Sequence, residues 1–97
     1  MAASEPGAQT AFVYMVRCVG GQLYTGWTND PAARLRAHQS GRGAKYTRAH
    51  GAVCFAYLEA CADKSAALHR EAALKKLSKP QKEALCAAWT AEGCPGL

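Results

Sequence analysis

The stretch Phe12-Val13-Tyr14-Met15-Val16-Arg17-Cys18-Val19-Gly20-Gly21-Gln22-Leu23-Tyr24-Thr25-Gly26-Trp27-Thr28 decides how this chain folds. Its first arm is β-branched and aromatic. Phe12, Tyr14 and Val16 fall on one face, Val13 and Met15 on the other. Gly20-Gly21 supplies the positive backbone angles of a tight turn, and Leu23 to Thr28 reads as the return arm. Two such arms joined by two glycines predict an antiparallel hairpin. Tyr14 and Tyr24 then sit on facing arms. Whether they share a face depends on the register across the turn.

Downstream, Asn29 or Asp30 caps a helix whose first-turn Pro31 needs no amide partner. That helix runs to about Gln39, where Ser40-Gly41 stops it. Gly41 to Gly51 reads as a basic, glycine-bearing loop, and Val53 to Glu59 as a third strand. Asp63 or Ser65 starts a second helix ending near Leu77. Ser78-Lys79-Pro80-Gln81 has the form of a capping box for a third helix reaching about Ala91. The order ββαβαα predicts an α+β domain. Its small sheet, the hairpin plus a third strand, is mixed or antiparallel and packed by three helices. The domain spans residues 11–91, between a polar N-terminal segment (1–10) expected to fray and a short tail (92–97).

Bulk properties narrow the function. The 97 residues, 49% hydrophobic, suit one small domain. Twelve Lys and Arg against seven Asp and Glu give a net charge of +5, which favours an anionic partner. No apolar run approaches a membrane span, and Met1 to Thr10 lacks the regions of a secretory signal. Cys18, Cys54, Cys61, Cys86 and Cys94 form no CxxC pair. They read as reduced thiols of a cytoplasmic protein rather than a disulfide framework or zinc site.

The charge is clustered. Arg34, Arg36, Arg42, Lys45 and Arg48 fall between Pro31 and His50 with no acid among them, alongside His38 and Tyr46. Lys64, Arg70, Lys75, Lys76, Lys79 and Lys82 follow, interrupted only by Glu71. Neighbouring cations repel unless phosphate neutralises them, so such runs suit a polyanion. In the Arg42–Arg48 loop, glycines let the backbone approach a phosphate closely. The Lys75–Lys82 run fits phosphate contact and a solvated helix face equally well.

Hydrolysing a phosphodiester needs a positioned water, a proton acceptor and positive charge on the crowded phosphorane. Tyr14 or Tyr24 could accept the proton, and Arg34 could supply the charge. His38, four residues on along the same helix face, can bond a tyrosine hydroxyl. Glu71 as a lone carboxylate leaves most of a Mg²⁺ shell to water and phosphate, which suits that hard ion. Taken singly, each residue has a plainer role. The tyrosines can be core aromatics, Arg34 a surface residue, and His38 a helix C-terminal cation. Glu71 can be a partner for Arg70 or Lys75, while Glu59 and Asp63 compete with it for a metal.

Phe12-Val13-Tyr14 and Tyr24-Thr25-Gly26 resemble the two half-motifs of the GIY-YIG nuclease superfamily. Arg34 and His38 match its helix spacing, and Glu71 its metal-binding glutamate. Gly43-Ala44-Lys45-Tyr46-Thr47-Arg48 and Leu74-Lys75-Lys76-Leu77 are similar to its small, free-standing bacterial single-domain branch. The resemblance covers about Ala11 to Trp89. It implies a metal-dependent endonuclease using Mg²⁺ (or Mn²⁺) on DNA, with branched or damaged structures as candidate substrates. It implies Tyr14, Tyr24, Arg34 and His38 as catalytic and Glu71 as metal-binding, with Gly26, Arg42, Lys45, Tyr46, Arg48, Lys75 and Lys76 facing nucleic acid. It also implies a tyrosine base without settling which one; Tyr14 is preferred here. Phe12 and Thr25 depart from the half-motifs, and the third helix lacks the asparagine of several members. That gap keeps open a nucleic-acid-binding module of the same fold with little turnover. A small protein docking an acidic partner is the third reading.

Overall fold

A computed structural model describes residues 10–91. The expected segments at residues 1–9 and 92–97, Cys94 included, lie outside the described residues. The elements are β1 (Ala11–Cys18), β2 (Leu23–Thr28), α1 (Pro31–Gln39), α2 (Lys45–His50), β3 (Ala52–Cys61), α3 (Lys64–Lys75) and α4 (Lys79–Ala91). This is the α+β order read from the sequence, with one addition. The stretch expected as an open basic loop contains the helix α2, so the sheet is accompanied by four helices rather than three, α2 lying against α1. Two boundaries also move: β3 is longer at both ends, and α3 stops at Lys75, not near Leu77.

The sheet is antiparallel throughout, in the order β2-β1-β3. Gly21, at φ 91°, provides the left-handed residue of the hairpin turn. The register pairs Tyr14 with Gly26 and Val16 with Tyr24. Side chains alternate along a strand, so Tyr14 and Tyr24 share a face. β1 is buried on both sides: Tyr14 and Val16 on one, Val13 and Met15 on the other. Leu35 of α1 packs with Tyr14, Val16 and Phe55 in one core cluster. α3 reaches the sheet from the other side. Its Lys64 Nζ lies over the Trp27 ring and its Arg70 bonds Glu59, and both Trp27 and Glu59 are cross-strand partners of Val13.

The helix ends follow their sequence signals. Asp30 Oδ1 accepts from Ala33 N–H, and Asp63 Oδ1 from Ala66 N–H. Ser78 and Gln81 exchange two bonds in a reciprocal box: Ser78 N–H to Gln81 Oε1 at 2.9 Å and Gln81 N–H to Ser78 Oγ at 3.3 Å. α4 is tied to the hairpin turn. Arg17 forms a two-pronged pair with Glu83 at 2.6 and 2.7 Å, and both Arg17 and Lys79 donate to the Gly21 carbonyl. Arg17 and Lys79 together hold the Glu83 carboxyl down to about 2. Among the described residues, no helix is long and apolar enough to cross a membrane.

Candidate active site

The Tyr14 face of the hairpin meets α1, and that junction gathers the polar groups. Arg34 and His38 lie one turn apart on α1, so both reach the same strand residue. His38 Nε2 is 2.8 Å from the Tyr14 hydroxyl, and Arg34 Nε donates to the same oxygen at 3.4 Å. The Tyr24 ring completes the group, 5.3 Å from the His38 ring and 6.5 Å from that of Tyr14. Gly26 is buried beneath Tyr14: a Cβ there would come within 2.7 Å of the hydroxyl and 2.9 Å of Cζ. Gly26 thereby makes room for the Tyr14 ring.

His38 is a buried, neutral group. It is 1% exposed, and burial, reinforced by the Arg34 cation, lowers its pKa from 6.5 to about 4. A role as helix-terminal cation is therefore set aside. Its second nitrogen, Nδ1, lies 2.7 Å from Thr47 Oγ1. Burial pushes the Tyr14 phenol above its ordinary 10; Arg34 pulls it down, while Tyr24 and Glu71 push it further up. At neutral pH Tyr14 therefore carries its proton.

Glu71 is carried by α3, which packs the other face of the sheet, and its charge is the weakest of the influences on the Tyr14 phenol. Glu71 lies on the helix stripe of the buried Ala67 and Leu74, with its side chain 17% exposed. It pairs with Lys75 at 3.4 Å, a surface-type i,i+4 contact worth a few tenths of a kcal/mol. Its competitors are occupied: Asp63 caps α3, and Glu59 accepts from Tyr57 and Arg70. No group of three or more His, Cys, Asp or Glu side chains able to hold a metal is found among the described residues.

Basic residues gather on α2 and on the segment leading to it. Arg42, Lys45 and Arg48 are exposed, and α2 is joined to α1 by the His38–Thr47 bond. The Tyr46 side chain lies outside the described residues. Lys75 and Lys76 are exposed at the end of α3. Sequence reasoning missed two residues, Thr47 and Gly43. Thr47 is 1% exposed. A Cβ on Gly43 would clash with the His38 ring, at 2.8 Å from Cγ. The absence of a side chain at Gly43 thus makes room for the imidazole. Both residues lie within the quoted Gly43–Arg48 stretch, which was the only signal for them.

A hairpin carrying two clustered tyrosines, an Arg–His helix across them and an acid on a later helix is the arrangement of a nuclease-type domain. The chain belongs to the GIY-YIG catalytic domain family, whose profile matches residues 10–84. It is 48% identical over 82 residues to a UPF0213 protein of Aeromonas hydrophila, covering 84% of this chain but only 60% of that protein's length. A UPF0213 protein of Streptococcus sanguinis is 47% identical over 72 residues, covering 74% of this chain and 83% of that protein. The solution NMR structure of a UPF0213 protein from Bacillus halodurans is similar, with TM-score 0.52 and 38% identity. That match covers 81% of this chain and 84% of the other.

Proposed function

We propose that this chain is a metal-dependent endonuclease that hydrolyses phosphodiester bonds in DNA, acting in the cytoplasm on branched or damaged structures in repair. The observation that carries the reading is the convergence of Tyr14, Tyr24, Arg34 and His38 in one cluster around the Tyr14 hydroxyl. The donor set fits Mg²⁺ or Mn²⁺: a single, largely buried carboxylate leaves the remaining positions to water and phosphate oxygens. Glu71 would hold the ion. When bound, it supplies Lewis-acid stabilisation of charge on the phosphate and leaving oxygen.

The chain's own residues do the rest. Arg34 stabilises the negative charge that grows on the attacked phosphate. Tyr14 accepts the proton of the attacking water, with Tyr24 as the runner-up for that role. A phenol that already holds a proton can take another only by passing its own on. His38 Nε2, at 2.8 Å, is the acceptor in place. Arg42, Lys45, Tyr46, Arg48, Lys75 and Lys76 bind the nucleic-acid backbone, so affinity falls steeply with salt.

A plasmid and a branched-DNA cleavage assay, with Mg²⁺ or Mn²⁺ and with chelator, tests the reading. Tyr14→Phe, Tyr24→Phe, Arg34→Ala and Glu71→Gln are each expected to keep the fold, and each to slow cleavage about a hundredfold or more. Full activity in Glu71→Gln would discard the metal role. Activity in Tyr14→Phe with a dead Tyr24→Phe would move the base to Tyr24. One observation favours the second reading, binding without turnover. At the start of α4, Lys79 is bound to Glu83 and Gly21, and Gln81 to Ser78, so neither stands in for the absent asparagine. Salt-sensitive DNA binding with no cleavage under any metal would establish it.

A further inference from the structure

We infer that Thr47 is a positioning residue: it fixes the tautomer of His38 and through it the direction of the Tyr14 proton. The inference rests on the nuclease reading for its consequence, but not for its geometry. Thr47 is buried on a short helix whose other described side chains are exposed, and α2 has no side-chain cap to account for a hydroxyl there. Thr47 Oγ1 lies within donating distance, 3.0 Å, of the Ala44 carbonyl, which also accepts from Arg48 N–H. With the hydroxyl proton directed to that carbonyl, Oγ1 accepts from His38 Nδ1 at 2.7 Å. Nδ1 then carries the hydrogen.

Valence settles the remaining bonds. A neutral imidazole has one N–H, and burial beside Arg34 keeps His38 neutral. With the hydrogen on Nδ1, Nε2 is a bare acceptor, and the contact of 2.8 Å to Tyr14 is a bond donated by the phenol. The phenol oxygen turns its lone pairs outward, where Arg34 Nε donates to it. The Ala44 carbonyl thus sets the sense of the two reversible hydrogen bonds, Thr47 to His38 and His38 to Tyr14. Gly43 packs against the same imidazole edge, so the ring cannot swing away from Thr47 on that side.

The opposite tautomer would reverse both bonds at the imidazole. Nε2–H would donate to the Tyr14 oxygen, and the phenol proton would point outward, toward the place where the water must deliver its own. In the observed sense the proton steps balance. Water gives a proton to the Tyr14 oxygen as Tyr14 gives its own to Nε2. The water's electron pair forms the new P–O bond, and the old P–O bond breaks with its pair going to the leaving sugar oxygen, which solvent protonates. An imidazolium is disfavoured at this buried position beside Arg34, so the transfer is tied to the charge growing on the phosphate.

The test is the His38 tautomer, read from long-range ¹H–¹⁵N correlations of labelled protein at neutral pH, beside DNA cleavage and DNA affinity. The wild type should show the Nδ1–H form. Thr47→Val should show a shift toward Nε2–H, with cleavage slowed about a hundredfold at unchanged DNA affinity. Thr47→Ser, which keeps the hydroxyl, should restore both tautomer and rate. An Nε2–H wild type overturns the inference and needs no variant to do so. Thr47→Val cleaving within about threefold of wild type overturns it too, as does Thr47→Ser failing to restore the tautomer. A wild type with the Nδ1–H form that cuts no DNA removes the nuclease reading, and the catalytic role of Thr47 with it, while leaving the tautomer assignment standing.

Discussion

Acid should unfold this protein earlier than its carboxylates alone require, because of one buried imidazole. His38 accepts a proton at about 4 in the folded chain and at its ordinary 6.5 once unfolded. The charges and polar groups facing it are the Arg34 cation, the hydroxyls of Tyr14 and Thr47, and the Tyr24 ring. None of these offers a negative charge to an imidazolium. Between pH 6.5 and about 4 the unfolded state therefore holds the extra proton, and stability falls as pH falls. At roughly 1.4 kcal/mol per pH unit, that interval comes to about 3 kcal/mol, lost almost entirely by pH 4. For a domain this small, with an m-value of roughly 1–1.5 kcal/mol/M, the urea midpoint drops by about 2–3 M. Glu83 adds a separate loss at lower pH, as it falls from 4.5 toward about 2. Urea melts at pH 7, 6, 5 and 4 on wild type and His38→Gln isolate the histidine, since glutamine can bond both neighbours without titrating. The wild-type midpoint should fall more steeply than that of the variant across this window. Parallel slopes, or an NMR titration placing His38 near 6.5, would refute the reasoning.

Other expectations follow from contacts already described. Gly26→Ala puts a methyl within 2.7 Å of the Tyr14 hydroxyl. It should cost about 1–3 kcal/mol in thermal or urea unfolding and abolish any cleavage activity, because the ring must move. Thr25 is 5% exposed, and its hydroxyl has no hydrogen-bond partner among the described residues. Thr25→Val should therefore stabilise the fold by about 1 kcal/mol, seen as a higher melting temperature. Gly43→Ala should disturb the His38 ring without touching the hairpin. Altered His38 ring resonances, with little change in the strand amide spectrum, would mark that outcome.

The hairpin, the caps of α1 and α3 and the Ser78–Gln81 box were legible because each rests on a local device: a glycine turn, an Asp side chain, a reciprocal pair. α2 was not. Its six residues have no capping side chain, and Tyr46 and Thr47 are weak helix formers. What secures it is the burial of Thr47 against His38, a tertiary contact that no local pattern encodes. The same asymmetry runs through the candidate site. Arg34 and His38 were readable from their i,i+4 spacing, and the two tyrosines from the hairpin. Thr47 and Gly43 matter only because the chain after α1 turns back over it, and they resemble ordinary residues of a basic loop until that turn is known. The contact of Gly26 with Tyr14 was likewise hidden, since its neighbour across the strands is visible only once register is set.

β1 is the middle strand, and its partner on one side is made long after the other. As the chain leaves the ribosome, the hairpin forms with β3 still unsynthesised. For that interval Ala11–Cys18 presents an unpaired edge with apolar residues on both faces, a ready template for pairing between nascent copies. The danger ends only when Ala52–Cys61 docks. Fragments that stop within α1 or α2 should accordingly collect in inclusion bodies, whereas chains carried past Cys61 escape them. The order in which strands are translated thus makes the most protected strand of the finished domain its most adhesive one at birth.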